Sequence, residues 1–132
     1  MTMESRLDAS LGDVAEGTAG VEVDEQAAAV AAACLFRAMG DPSRVAILRH
    51  LLLGEHNVAE LTSHLGLAQS TVSKHLACLR DCGLVASRPV GRASVFTLTH
   101  PDAVVRVFAA AESLLAATGD AVVLCPNSRM AG

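Results

Sequence analysis

Two short helix-forming stretches separated by a glycine turn constrain this chain more than any other feature of its sequence. Asn57 stands where a helix N-cap is needed, with Glu60 three residues on, an approximate capping box. Val58, Leu61 and Leu65 follow at helical spacing, and Gly66 closes the run after two turns. Beyond Leu67 and Ala68, helical spacing resumes over residues 69–81 with Val72, Leu76 and Leu79 on one side. Two short helices joined by a tight, glycine-containing turn form a helix-turn-helix.

The flanks extend this pattern in both directions. Asp24 and Glu25 suit a helix N-terminus, residues 27–39 are strong helix formers or apolar, and Gly40 is a stop. Asp41 and Pro42 restart a helix as cap and first turn, Val45, Ile47, Leu48, Leu51 and Leu52 give it an apolar face, and Gly54 ends it. After Gly83, residues 84–87 and 93–99 carry strand patterns, with Pro89, Val90 and Gly91 marking a hairpin tip. A last helix begins at His100-Pro101-Asp102, is apolar at Val104, Val107, Phe108, Ala111, Leu114 and Leu115, and stops at Gly119. The fold class is therefore mainly α with a small β-hairpin: a winged helix-turn-helix flanked by an extra helix at each of its N- and C-terminal ends. Residues 1–23, rich in Gly, Ser, Asp and Glu without a sustained period, are expected to be a mobile acidic tail. Residues 24–118 form the domain, and 119–132 a C-terminal tail.

Composition first argues against a phosphate-bearing partner, since fourteen acids and ten bases leave a net charge of −4. The charges are segregated. Residues 1–26 hold seven of the acids and one of the bases, so residues 27–132 are mildly basic. With no Trp or Tyr, and only Phe36, Phe96 and Phe108 aromatic, a stacking platform for single strands is excluded. The longest apolar run, residues 27–36, is half of what a membrane span needs, and no basic-then-apolar leader is visible. Cys34, Cys78, Cys82 and Cys125 are too irregularly spaced for a secreted disulfide scaffold. The expectation is a reduced, cytoplasmic protein with no membrane partner.

The second helix of the pair offers Gln69, Ser70, Thr71, Ser73, Lys74 and His75 in its first two turns. A major groove accepts a helix presented this way, with N-terminal residues at base edges and hydroxyls or lysine at phosphates. Arg88 and Arg92 flank the hairpin tip, placed for the neighbouring backbone or minor groove. Isolated charges of this kind commonly mark nothing more than a solvated face. Here helix-turn-helix spacing, a polar helix surface and a basic wing coincide, and double-stranded DNA is the expected partner.

Gly40-Asp41-Pro42-Ser43-Arg44, the run from Gln69 to Leu76, and Leu79-Arg80 followed by Gly83-Leu84-Val85 resemble the ArsR/SmtB family of bacterial metal-sensing repressors. The resemblance spans roughly residues 30–117. It implies a homodimer, joined through the first and last helices, that sits on palindromic operator DNA and leaves it when an inducer binds. Two inducer sites of that family find no match. No cysteine lies near residues 57–59, where an arsenic-type pair would fall, and the zinc-type site of the last helix has His100, Asp102 and Glu112 but no later histidine.

Cys78 and Cys82 remain, one turn apart on the flank of the apolar stripe. Two thiolates at that spacing chelate a soft cation. An isolated C-x-x-x-C on a helix is more often a pair of small apolar residues. The segment around them is similar to the CmtR-type cadmium- and lead-sensing subgroup, in which a third cysteine comes from the C-terminal tail of the other subunit. That resemblance implies Cys78, Cys82 and Cys125 as ligands of Cd²⁺ or Pb²⁺, with Zn²⁺ a further candidate. Cys34 is expected to pack within the first helix, and His75 to face DNA or to cap. His50, His56 and His64 show no mutual ligand spacing and are expected to be ordinary surface or boundary residues.

The expected function is a repressor released from its operator by a soft metal ion. Within the same fold, a thiol redox or persulfide switch could use the same cysteines. A metal-buffering protein without DNA binding is a third reading. A thiol oxidoreductase wants C-x-x-C at a helix N-terminus, where the dipole lowers the thiol pKa. This pair lies at a helix C-terminus with three residues between, so an enzyme is not expected.

Overall fold

The computed structural model describes residues 25–125, so the acidic tail expected over residues 1–23 lies outside the described part. The chain divides into two compact units, one ending at Arg37 and the other starting at Ala38. The described part of the first unit is helical: α1, Glu25–Met39, with Glu25 in its first turn and Arg37 in its last, charges that complement the helix dipole. Cys34 is exposed on it, contrary to the expectation of a packed thiol. Val30 and Phe36 are exposed as well.

The second unit begins with α2, Pro42–Leu53, whose N-cap Asp41 accepts from the amides of Ser43 at 2.9 Å and Arg44 at 3.1 Å. A two-residue strand, β1, His56–Asn57, leads into α3, Val58–Leu65. The capping box is present in both directions, with Glu60 N–H donating to Asn57 and Asn57 N–H to Glu60, each at 2.8 Å. Gly66 leaves α3 with φ 69°, the left-handed conformation that lets the chain turn at once into α4, Gln69–Asp81. Strands β2, Val85–Val90, and β3, Ala93–Leu98, form the wing, and α5, Pro101–Ala117, follows.

The sheet has three antiparallel strands in the order β1-β3-β2, one more than the expected hairpin. His56 lies opposite Phe96 and Asn57 opposite Val95. A two-residue strand shows no alternation, so β1 exists only because β3 offers it an edge. The hairpin tip is Gly91-Arg92, between the paired Val90 and Ala93, rather than Pro89 to Gly91. Gly91, with φ 62°, takes the first turn position, as a type II′ turn requires. Pro89 is tolerated in β2 because that strand is an edge.

One core holds this unit together. Ile47, Leu48 and Leu51 of α2 meet Leu61 of α3 and Val72, Leu76 and Leu79 of α4, closed by Val85, Phe96, Val104 and Phe108. Because α4 spends its whole apolar stripe here, its opposite face is left to solvent. Among the described residues no helix is long and apolar enough to cross a membrane.

Candidate functional site

Helix α4 presents Gln69, Ser70, Ser73 and Lys74 to solvent, with Thr71 half-buried. Its N-cap is Ala68, which has no side-chain acceptor, and the first amides to find a partner are those of Thr71 and Val72, both on the Ala68 carbonyl. The amide groups at the start of the helix therefore point outward beside the hydroxyls, an arrangement suited to a phosphate oxygen.

His75 departs from that outward face. Its side chain is only 17% exposed and turns toward the start of α2, with Nδ1 3.2 Å from an Arg44 guanidinium nitrogen and Nε2 3.7 Å from the Asp41 carboxylate. A guanidinium can only donate, so Nδ1 accepts and a neutral ring carries its proton on Nε2, toward Asp41. Arg44 also donates from Nε to the Ala38 carbonyl at 2.6 Å. The Arg44 amide, with the Arg44 guanidinium charge and the Ser43 amide, holds the Asp41 carboxyl below its ordinary range against the opposing effect of desolvation. His75, expected to face DNA or to cap, ties α4 to the side chains of Asp41 and Arg44 at the start of α2 and itself caps no backbone amide in these contacts.

The wing carries Arg88 on β2 and Arg92 at its tip, both exposed. Arg88 is already engaged, its guanidinium 2.5 Å from the Glu55 carboxylate just ahead of β1. Arg92 and Lys74 have no ion-pair partner among the described residues, so they are the charges most readily given to an incoming polyanion.

Cys78 and Cys82 lie half-buried at the end of α4, against the edge of the core. Cys82 is the C-cap, and its amide donates to the Cys78 carbonyl at 3.2 Å, which holds the two side chains one turn apart. Cys125 also touches the core edge, but it is held elsewhere by its own backbone. The Glu112 carboxylate of α5 accepts the amides of Leu124 at 2.6 Å and Cys125 at 2.7 Å, and Arg49 of α2 donates to the Leu124 carbonyl at 2.9 Å. The Cys125 thiol points at the Val105 carbonyl, 3.5 Å away. Those two amides lower the Glu112 pKa. Burial, then the Glu112 charge, pushes the Cys125 thiol up. Within one chain the three cysteines do not form a three-ligand group.

One such group does exist among the described residues, and sequence reasoning missed it. His50, His56 and His64, expected to be ordinary surface or boundary residues without ligand spacing, each bring one ring nitrogen within 4.8 Å of the others. Burial first, then the neighbouring His64 and His56, lowers the pKa of His50. Spacings of six and eight residues across three elements carry no local signal.

An exposed polar helix face, a basic two-stranded wing and a core that fixes both define a winged helix-turn-helix protein. Residues 41–87 match the bacterial regulatory protein, arsR family. The solved structure of reduced HlyU from Vibrio cholerae is similar at 37% identity and a TM-score of 0.58, over 64% of this chain and 92% of that one. This chain belongs to the arsR family. It is 52% identical over 62 residues to the HTH-type transcriptional regulator CmtR of Mycobacterium tuberculosis, 47% of this chain and 52% of that protein. It is 42% identical over 66 residues to a probable mercury resistance operon repressor of Streptomyces lividans, 50% of this chain and 53% of that protein. The match thus spans about half the length of these two relatives.

Proposed function

We propose that this protein is a homodimeric transcriptional repressor that binds operator DNA and is released by a soft metal ion held on cysteine thiolates. The observation that carries the reading is the placement of Cys78 and Cys82 one turn apart at the end of the helix whose first two turns form the polar face. Gln69, Ser70, Thr71, Ser73 and Lys74 would meet the major groove, and Arg88 and Arg92 the flanking phosphates. Two half-buried thiols on one helix face fit a soft cation, in keeping with a relative named for mercury resistance. Cd²⁺ or Pb²⁺ is favoured, with Zn²⁺ a further candidate. The third thiolate is Cys125, from either the same or the partner subunit. On α1, Val30 and Phe36, and on α5, Val105, Val107 and Leu114, are apolar and exposed, which favours a second copy of the chain. A two-fold dimer would read a palindromic site.

Release follows from what the chain must rearrange. Coordination by Cys125 would compete with the contact of its thiol to the Val105 carbonyl. Cys78, Cys82 and Cys125 would hold the ion, and the sulfur-to-metal bonds it would supply would link the base of α4 to the C-terminal tail. Cys78 and Cys82 would then hold α4 in a changed position or restrict its motion. A coupling of about 1–3 kcal/mol between the two sites shifts DNA affinity roughly five- to 150-fold.

Titration of the purified, reduced protein with Cd²⁺ tests this. Ultraviolet sulfur-to-metal absorption should saturate at one ion per protomer, and retention of promoter DNA should fall in parallel. Cys78→Ser and Cys82→Ser should remove both responses; if both persist in either variant, the proposal fails. Metal-independent release by peroxide or polysulfide would point instead to a thiol redox switch, and metal binding without DNA retention to a metal buffer.

A further inference from the structure

The structure assigns His50, His56 and His64 to a second metal site, made only of imidazoles, for a borderline divalent cation of the Zn²⁺ type. The three residues come from three elements: the last turn of α2, the strand β1 and the last turn of α3. His50 and His64 stack with ring centroids 4.8 Å apart and planes 9° from parallel. His56 stands edge-on to both, 6.0 Å from His50 and 5.4 Å from His64.

Three features suit this group to a cation. One potential ligand nitrogen from each ring lies within 4.8 Å of the other two. Zinc-to-nitrogen bonds of about 2.0–2.1 Å place tetrahedral ligands about 3.4 Å apart, so closure needs an approach of about 1.4 Å. Histidine χ2 rotates in a broad well and can supply much of that movement. His56 is also prepared for the role by its own backbone. Its Nδ1 lies 2.8 Å from the Gly54 carbonyl, which can only accept. The proton therefore sits on Nδ1, and the Nε2 lone pair is left to the cluster, the arrangement that orients metal-bound histidines generally. Finally, β1 is paired to β3 through His56 and Phe96, so the central ligand stands on ordered backbone.

The donor chemistry separates this site from the thiols. Neutral imidazoles without thiolate or carboxylate suit Zn²⁺, Ni²⁺ or Cu²⁺ better than the softest ions, and three of them leave one position for water. The ligands join α2, β1 and α3, and Glu55, beside His56 in sequence, holds Arg88 of the wing. A cation here would brace the base of the wing. This assignment stands whether or not the thiol-responsive repressor reading holds.

The test uses the full chain. In a Cys78→Ser, Cys82→Ser, Cys125→Ser background, titration with Co²⁺ should bind one ion, with visible ligand-field bands and no ultraviolet sulfur-to-metal transition. Zn²⁺ should then displace it. Adding His64→Gln, an exposed position outside the core, should weaken Co²⁺ binding at least tenfold with the circular dichroism spectrum unchanged. A second measurement avoids the triple variant: His64→Gln in the otherwise wild-type chain should bind one Zn²⁺ fewer than wild type at saturation. Unchanged Co²⁺ affinity and unchanged Zn²⁺ stoichiometry on His64→Gln would overturn the assignment. A sulfur-type spectrum for the cobalt bound in the triple-serine background would overturn it as well.

Discussion

Replacing Lys74 with glutamine isolates the electrostatic part of the proposed DNA binding. Lys74 is exposed on the second turn of α4, without an ion-pair partner among the described residues, so no internal contact is lost with its charge. If it neutralises one phosphate, the slope of log K against log salt becomes shallower by about 0.9 per protomer, or about 1.8 for a dimer. Between 50 and 200 mM salt, wild type should then lose about 12-fold more affinity than the variant. Because the phosphate contribution is independent of sequence, fluorescence anisotropy with any labelled duplex suffices, and the operator need not be known. Arg106→Gln serves as control: that arginine is exposed on α5, away in sequence from both the polar face and the wing. Equal slopes for Lys74→Gln and wild type would refute the placement of α4 against the DNA backbone. A slope lowered equally by Arg106→Gln would show a diffuse charge effect instead.

Glu55→Gln should tighten DNA binding about 1.4- to 5-fold per protomer, because Arg88 no longer shares its charge with a half-exposed carboxylate worth about 0.2–1 kcal/mol; the same anisotropy assay reads it, and weaker binding would contradict the competition. Glu112→Gln should free the tail and speed alkylation of Cys125, followed by peptide mass spectrometry, since burial and the Glu112 charge now hold that thiol protonated. Acid should likewise loosen the tail, without speeding alkylation, which needs the thiolate. The Glu112 pKa is lowered in the fold, so its contribution is complete above its ordinary value of 4.5 and is lost as pH falls through the lower folded value. An alkylation rate indifferent to Glu112→Gln would mean that the carboxylate does not hold the tail. Gly66→Ala should cost about 1–2 kcal/mol in urea denaturation, because alanine at φ 69° is strained although nothing crowds its Cβ; an unchanged midpoint would mean that the turn relaxes freely.

Most helix limits were legible because caps and stops act within a few residues. Asp41, Asn57 with Glu60, and Gly66 each close hydrogen bonds to near neighbours, and α2 begins, and α3 begins and ends, where those residues require. The outward face of α4 was legible for the same reason: Val72, Leu76 and Leu79 recur at helical spacing, which leaves Gln69, Ser70, Ser73 and Lys74 opposite. Where local rules were silent, expectation and structure part. β1 is too short to carry a period, and the hairpin turns on Gly91-Arg92 because strand pairing extends β2 through Pro89 and Val90. His75 shares the helix segment of the polar face but not its direction.

By itself the sequence determined which segments are helical, which of their faces are apolar, and that a basic, polar half follows an acidic start. Those properties depend on residues a turn apart, so they can be read along the chain. Tertiary structure alone decided which polar groups meet. Arg44 reaches His75 across 31 positions, Arg88 reaches Glu55 across 33, and Arg49 reaches Leu124 across 75. The histidine cluster arises in the same way. Each of these pairings is modest in energy and follows the packing of the common core rather than causing it. No local pattern encodes them, yet they set which charges face a ligand and where the tail cysteine is held.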